Sequence, residues 1–136
     1  VRVECLYTLF YQEKEAGFFF PGEEHPMAEL LYVDSGRVHS VADGRELLLE
    51  QGDMVLYGPE QWHMQYADRE VRFLTVSFSW DGQDFSRFFN SVTSGSPEIQ
   101  RGVQALSQEY EENLPQRDEF LLAHTKLLLL QILGVF

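Results

Sequence analysis

Through the first 82 positions, short apolar runs return roughly every eight to ten residues, each closed by a turn signal, and this rhythm restricts the fold more than any other feature. The runs are Val3–Tyr11, Gly17–Phe20, Glu29–Val33, Val38–Val41, Glu46–Leu49, Met54–Tyr57, Trp62–Tyr66 and Val71–Ser79. Between them stand Pro21-Gly22, Asp34-Ser35-Gly36, Asp43-Gly44, Gln51-Gly52-Asp53, Gly58-Pro59 and Asp68-Arg69. Strands this short, with turns this regular, predict an antiparallel sandwich or small barrel. Asp43-Gly44 is the sharpest signal, because both central residues of a type I′ hairpin need positive φ. Closing the sheet would also hide edges that such aromatic strands expose.

From residue 83 the rhythm changes. Asp84 is placed to cap a short turn through Phe85, Phe88 and Phe89. Ser96-Pro97-Glu98 opens a helix: a capping hydroxyl, a proline in the first turn and an acid at the positive end of the dipole. That helix is expected to reach Glu112, with Ile99, Val103, Leu106 and Tyr110 on one stripe. Asn113 to Gln116, with Pro115, interrupts it, and Asp118-Glu119 starts a second helix over Glu119–Leu133. The short link implies an antiparallel helical hairpin. The second helix is apolar nearly all round, which requires burial on more than one side. One face is expected on the barrel and the other on a second copy of the chain, with Leu121, Leu128 and Ile132 assigned to that homodimer contact.

With 136 residues the chain makes one domain, read here as a barrel over 1–82 and a helical dimerisation segment over 83–136. Twenty-two acids against ten bases give a net charge of −12, which argues against direct contact with nucleic acid or with anionic membrane. A lone cysteine, Cys5, leaves no intrachain disulfide and fits a cytoplasmic location. No apolar run is long enough to span a bilayer. The chain begins at Val1 and stops within apolar sequence at Phe136, as a domain excised from a longer protein would.

No Ser/His/Asp pattern, nucleophile elbow or phosphate-cradling glycine loop is present, and no catalytic residue is assigned. The informative residues fall in two spaced clusters. The first is Gly17, five residues, Glu23-Glu24-His25, three residues, Glu29, six residues, Gly36. The second runs from Gly52 through Gly58, Pro59 and Glu60 to His63, with Ala67 four positions on. This pair resembles the two-motif signature of the cupin superfamily, a jelly-roll type of antiparallel β-barrel. Relative to that signature, Glu23 stands for the first histidine, Gly58 for a proline, Glu60 for a glycine and Ala67 for an asparagine. His25, Glu29 and His63 keep their positions. The resemblance implies that Glu23, His25, Glu29 and His63 could ligate a divalent ion such as Zn, Mn or Fe(II). Glu23, His25 and Glu29 share parity, so a continuous strand would turn them to one face, although Pro26 interrupts a ladder. Without an ion, Glu29 and His63 would be polar groups lining a pocket or a satisfied hydrogen-bonded pair, a reading that the missing first histidine favours.

The stretch from Glu29 to Gly36, then Asp43 to Pro59, then Trp62-His63, is similar to the N-terminal cupin domain of AraC-type bacterial transcriptional regulators. That resemblance covers nearly the whole chain, the leucine-rich hairpin included. It implies a small-molecule effector, a sugar or small metabolite, held in the barrel by Glu29, His63, Gln65, His25, Tyr57 and Trp62. Tyr32 and Phe73 are further wall candidates, strand register permitting. It also implies a homodimer through the C-terminal helix, no cofactor, no catalysis, and DNA contact only through a separate domain outside this sequence. A metal-dependent cupin enzyme, such as a dioxygenase or isomerase, is the alternative.

Overall fold

Two of the apolar runs, Leu30-Leu31-Tyr32-Val33 and Met54-Val55-Leu56-Tyr57, lack the alternation of a half-exposed strand, so both of their faces must find cover. The computed structural model, which describes residues 1–136, shows what supplies it. Nine strands form: β1 (Arg2–Lys14), β2 (Phe19–Glu23), β3 (Ala28–Ser35), β4 (Arg37–Ala42), β5 (Arg45–Glu50), β6 (Asp53–Tyr57), β7 (His63–Tyr66), β8 (Val71–Asp81) and β9 (Val92–Ser94). Two helices follow, α1 (Pro97–Glu111) and α2 (Arg117–Leu133). The strands make two antiparallel sheets, ordered β1-β8-β3-β6-β9 and β2-β7-β4-β5. The fold is thus mainly β with a C-terminal helical hairpin, the cupin-like architecture expected.

The centre of the larger sheet, β3, β6 and the middle of β8, is buried on both sides. Leu31, Val33, Val55, Tyr57 and Phe73 face the smaller sheet and pack with Val38, Ala42, Leu49, Ala67 and Val71. Leu30, Tyr32, Met54, Leu56, Leu74 and Val76 face the other way and pack under Ile99, Val103, Leu106, Leu128, Leu129 and Ile132 of the hairpin. Each fully buried large side chain contributes about 1.5–3 kcal/mol, so the hairpin is an integral third layer.

This layering corrects three expectations. Leu121, Leu128 and Ile132, assigned to a partner copy, are buried inside the chain's own fold, because the outer face of the larger sheet takes that stripe first. The large apolar residues that α2 leaves exposed are Phe120, Leu122, Leu127 and Leu130. Tyr32 lies under the helices and not in the barrel, one parity step from the interior row. Residues 83–136 are not helical throughout: β9 closes the edge of the larger sheet against β6.

The local signals explain the joints. Asp43 and Gly44 have φ of 49° and 76°, as the β4–β5 hairpin requires. Ser96 Oγ accepts the Ile99 N–H at 3.2 Å and Pro97 opens α1. Asp84 Oδ1 accepts the Ser86 N–H, starting the 3-10 turn Ser86–Phe88. Pro21-Gly22, read as a break, lies inside β2, which is an edge strand where a proline removes no central ladder bond. No helix is long and apolar enough to cross a membrane.

Candidate functional site

Glu29, the second residue of β3, shares parity with Leu31 and Val33 and therefore turns into the space between the sheets. His63, the first residue of β7, faces it from the opposite sheet and stands in register with Glu23 on β2 and Ala42 on β4. His25 arrives differently. β2 ends at Glu23 and β3 begins at Ala28, so Glu23, His25 and Glu29 do not share one continuous strand. The Pro26 turn between the strands folds His25 back into the group.

The four residues converge: one ligand-type atom from each lies within 4.8 Å of the others. His63 Nε2 is 3.1 Å from Glu29 Oε2 and 4.0 Å from Glu23 Oε1. His25 Nε2 is 3.4 Å from Glu23 Oε1 and 3.6 Å from Glu29 Oε1. The two imidazoles meet edge to face at 5.3 Å. Ser77 Oγ donates to Glu29 Oε1 at 3.4 Å. His63 is only 1% exposed, so its interactions are with protein and not with bulk water.

The other ring nitrogens decide what the cluster can hold. His25 Nδ1–H donates to the Met27 carbonyl at 2.7 Å, and His63 Nδ1–H donates to the Gln61 carbonyl at 3.1 Å. Both Nε2 atoms are thereby aimed at carboxylates. Backbone-fixed Nδ1–H groups with Nε2 turned inwards are the usual preparation of histidine for a metal. His25 Nε2 is buried without a hydrogen-bond partner, an atom that a cation would satisfy. Two imidazoles and two carboxylates suit Zn, Mn or Fe(II). The residues therefore fit a divalent ion.

Without an ion, both nitrogens of His63 face acceptors, and the ring is satisfied by taking a second proton. Burial opposes that charge, but the hydrogen bond and charge of Glu29 outweigh it, aided by the Gln61 carbonyl and Glu23, and His63 is raised above the ordinary histidine range. A raised histidine stabilises the fold fully below its unfolded value near pH 6.5, and that contribution is lost as pH climbs through the raised folded value. His63→Gln is thus expected to lower the urea midpoint of ion-free protein at pH 6 and to lower it much less at pH 9. Equal losses at both pH values would refute the pairing.

Behind the cluster, Tyr57 stacks on His63 with ring centroids 4.2 Å apart and planes within 8°. Its hydroxyl donates to Ser40 Oγ at 2.7 Å and accepts from Gln65 Nε2 at 3.2 Å, while Ser40 Oγ donates to the Met64 carbonyl. Burial pushes the Tyr57 phenol up, only partly countered by Ser40 and Gln65. In front lies a cavity of about 480 Å³, open to solvent. Glu23, Glu29, Gln65 and Thr75 supply its polar groups, Phe10, Phe18, Phe19, Phe20 and Phe73 its walls, and Gln12, Lys14 and Pro21 complete the lining.

Of the residues expected at the site, Glu29, His63, His25 and Glu23 come together, and Gln65 and Phe73 line the cavity. Tyr57 is fully buried behind His63 and outside the cavity lining. Trp62 is exposed and lies over Gly22, not on the cavity wall. Sequence reasoning missed the Phe18-Phe19-Phe20 run as a wall. The signal was present, but a regular strand would send these side chains to alternate faces. Phe18 and Phe20 are half-buried and Phe19 is 60% exposed, so the run keeps that alternation at the cavity mouth.

A two-sheet barrel with a His/Glu cluster between its sheets is the architecture of the cupins. Residues 10–77, half of the chain, match the family model described as the cupin domain, and the chain belongs to that family. No curated protein sequence matches it. Two solved structures show the shared fold at low identity. One is a conserved protein of unknown function from Streptococcus pyogenes: 15% identity, TM-score 0.51, with 54% of this chain and 65% of that chain covered. The other is a protein from Thermotoga maritima described as a predicted oxalate decarboxylase: 15% identity, TM-score 0.52, with 55% of this chain and 68% of that chain covered.

Proposed function

We propose that this chain is the effector-sensing and dimerisation domain of an AraC-type transcriptional regulator, without catalytic activity of its own. The observation that carries the reading is the two-sided use of the larger sheet. On β3, Glu29 and Leu31 turn towards the barrel interior, while Leu30 and Tyr32 turn to the hairpin. A molecule seated between the sheets therefore presses on the same strand that supports α1 and α2. The cavity mouth, with aromatic walls and a few polar anchors, suits a sugar or small metabolite. The effector acts by favouring one packing of the hairpin, and only to the extent of its differential affinity for the two packings. Phe120, Leu122, Leu127 and Leu130 on α2 supply the homodimer surface. The net charge of −12 leaves DNA contact to a domain outside this sequence.

A thermal-shift screen of sugars and small metabolites, with and without Mn(II), tests this reading. A true effector at about a hundred times its dissociation constant stabilises the fold by about 2.7 kcal/mol. A screen in which no compound raises the melting temperature counts against sensing.

The His/Glu cluster favours a second reading, a metal-dependent cupin enzyme. Glu23, His25, Glu29 and His63 would hold the ion, which supplies a Lewis acid when bound. The aromatic mouth would then position an organic substrate beside it. Elemental analysis of protein purified without chelator, followed by turnover assays on whatever compound the screen finds, separates the two. Binding without turnover supports the sensor, and turnover supports the enzyme.

A further inference from the structure

The loop between β6 and β7 departs from the family pattern at Gly58 and Glu60, and the reason for the first departure lies on a distant segment. The Gln61 side chain folds back over Gly58, where a Cβ would stand 2.2 Å from Gln61 Oε1 and 2.7 Å from a ring carbon of Phe89. No side chain fits at position 58 while Gln61 keeps this pose. What holds Gln61 there is Asn90, whose Nδ2 donates to Gln61 Oε1 at 2.5 Å from 29 positions away. Asn90 itself is pinned: its N–H donates to the Leu56 carbonyl at 2.9 Å, and it is 3% exposed.

Asn90 adopts φ of 60°, a conformation that glycine meets at no steric cost. A glycine would satisfy the backbone here, and would spare the chain the cost of burying an amide. The side chain must repay that cost, and its one hydrogen bond goes to Gln61. Gln61 is also the residue whose carbonyl receives the His63 Nδ1–H. The same short loop reaches the second histidine, since the Glu60 N–H donates to the His25 carbonyl at 2.6 Å.

We propose that Asn90 is a positioning residue for the His/Glu cluster: by clamping the Gln61 side chain over Gly58 it fixes the Gln61 carbonyl, and so holds the His63 ring with Nε2 turned towards Glu23 and Glu29. The proposal deepens the reading of the cluster as a cation site but does not require that reading to be right. Asn90 touches neither histidine and acts through Gln61. The turn that ends at Asn90 also carries Phe88, stacked on Phe136 beyond α2 at 5.1 Å, so the cluster and the end of the hairpin share this anchor.

The test is Asn90→Gly, which keeps the backbone conformation and deletes the amide, with Asn90→Asp as the conservative variant, since a carboxylate accepts from a flipped Gln61 amide. The first readout needs no metal. At pH 6 the His63 Nδ1–H of the wild type gives a protected downfield proton resonance, and in Asn90→Gly that resonance is lost to exchange while the Nε2–H bonded to Glu29 stays visible. The second readout is Zn(II) affinity by calorimetry, expected to fall about tenfold in Asn90→Gly, the range typical of supporting hydrogen bonds. Asn90→Asp recovers most of both. An Asn90→Gly protein that retains the Nδ1–H resonance and binds Zn(II) as tightly as wild type overturns the proposal. Loss of the resonance with no Zn(II) binding in any variant supports Asn90 as the clamp and overturns the cation reading of the cluster.

Discussion

Glu29→Gln is expected to cost at least about a hundredfold in Mn(II) or Zn(II) affinity, near 2.8 kcal/mol at 1.4 kcal/mol per tenfold. Glu29 reaches both histidines from a largely buried position: it contacts His63 through one oxygen, and His25 and Ser77 through the other. The amide keeps the volume and removes the charge that neutralises a divalent ion. It also removes the group that keeps His63 raised, so the ring titrates lower in the variant. Calorimetric titration of chelator-stripped protein checks the first effect, and proton NMR of the His63 ring across pH checks the second. If Glu29→Gln bound Mn(II) as tightly as wild type, the ion would have to sit elsewhere. The loss should exceed that of Glu23→Gln, because Glu23 is the more exposed carboxylate and lies 4.0 Å from His63 Nε2.

The cluster shows how far residue patterns reach. Glu29 and His63 could be read from spacing, since each belongs to a regular strand whose parity sets its direction. His25 could be placed in the motif but not oriented, because a proline turn and the Met27 carbonyl, not a strand, aim its ring. Asn90 left no local trace: a single residue at positive φ in a loop gains its role only when the fold brings it against Gln61. Tyr57 and Trp62 were aromatic residues beside the motif, and aromatic character alone does not distinguish a wall from a support behind it. The same ambiguity governs the larger sheet. Where both faces are apolar, alternation disappears, and Tyr32 and Leu31 look alike until a third layer claims one of them. β9 is three residues long, too short for any period to register.

Leu127→Glu combined with Leu130→Glu is expected to convert a dimer into a folded monomer, seen as a halved mass by sedimentation with little change in melting temperature. The surface left for a partner depends on which leucines α2 has already buried. Its moment as an isolated helix is weak because apolar residues surround it, so the sequence could not say which stripe faced inwards. The barrel decides: Leu121, Leu128, Leu129 and Ile132 fill the gap over the larger sheet, while Leu122 at 56% exposed, Leu127 at 55% and Leu130 at 37% stay outside. Leaving such side chains in water forgoes stabilisation that a second copy can supply, and an isologous contact lets one surface serve both partners. The control is Leu128→Asp. A charge there is buried against Gly102 of α1, where a partner-free carboxylate costs several kcal/mol of a total stability of about 5–15 kcal/mol. That variant should unfold or melt far lower, and so fail in a different way from the Leu127/Leu130 pair. A wild-type protein that sediments as a monomer at all concentrations would remove α2 from any dimer contact, and Leu128→Asp would still report its part in the barrel.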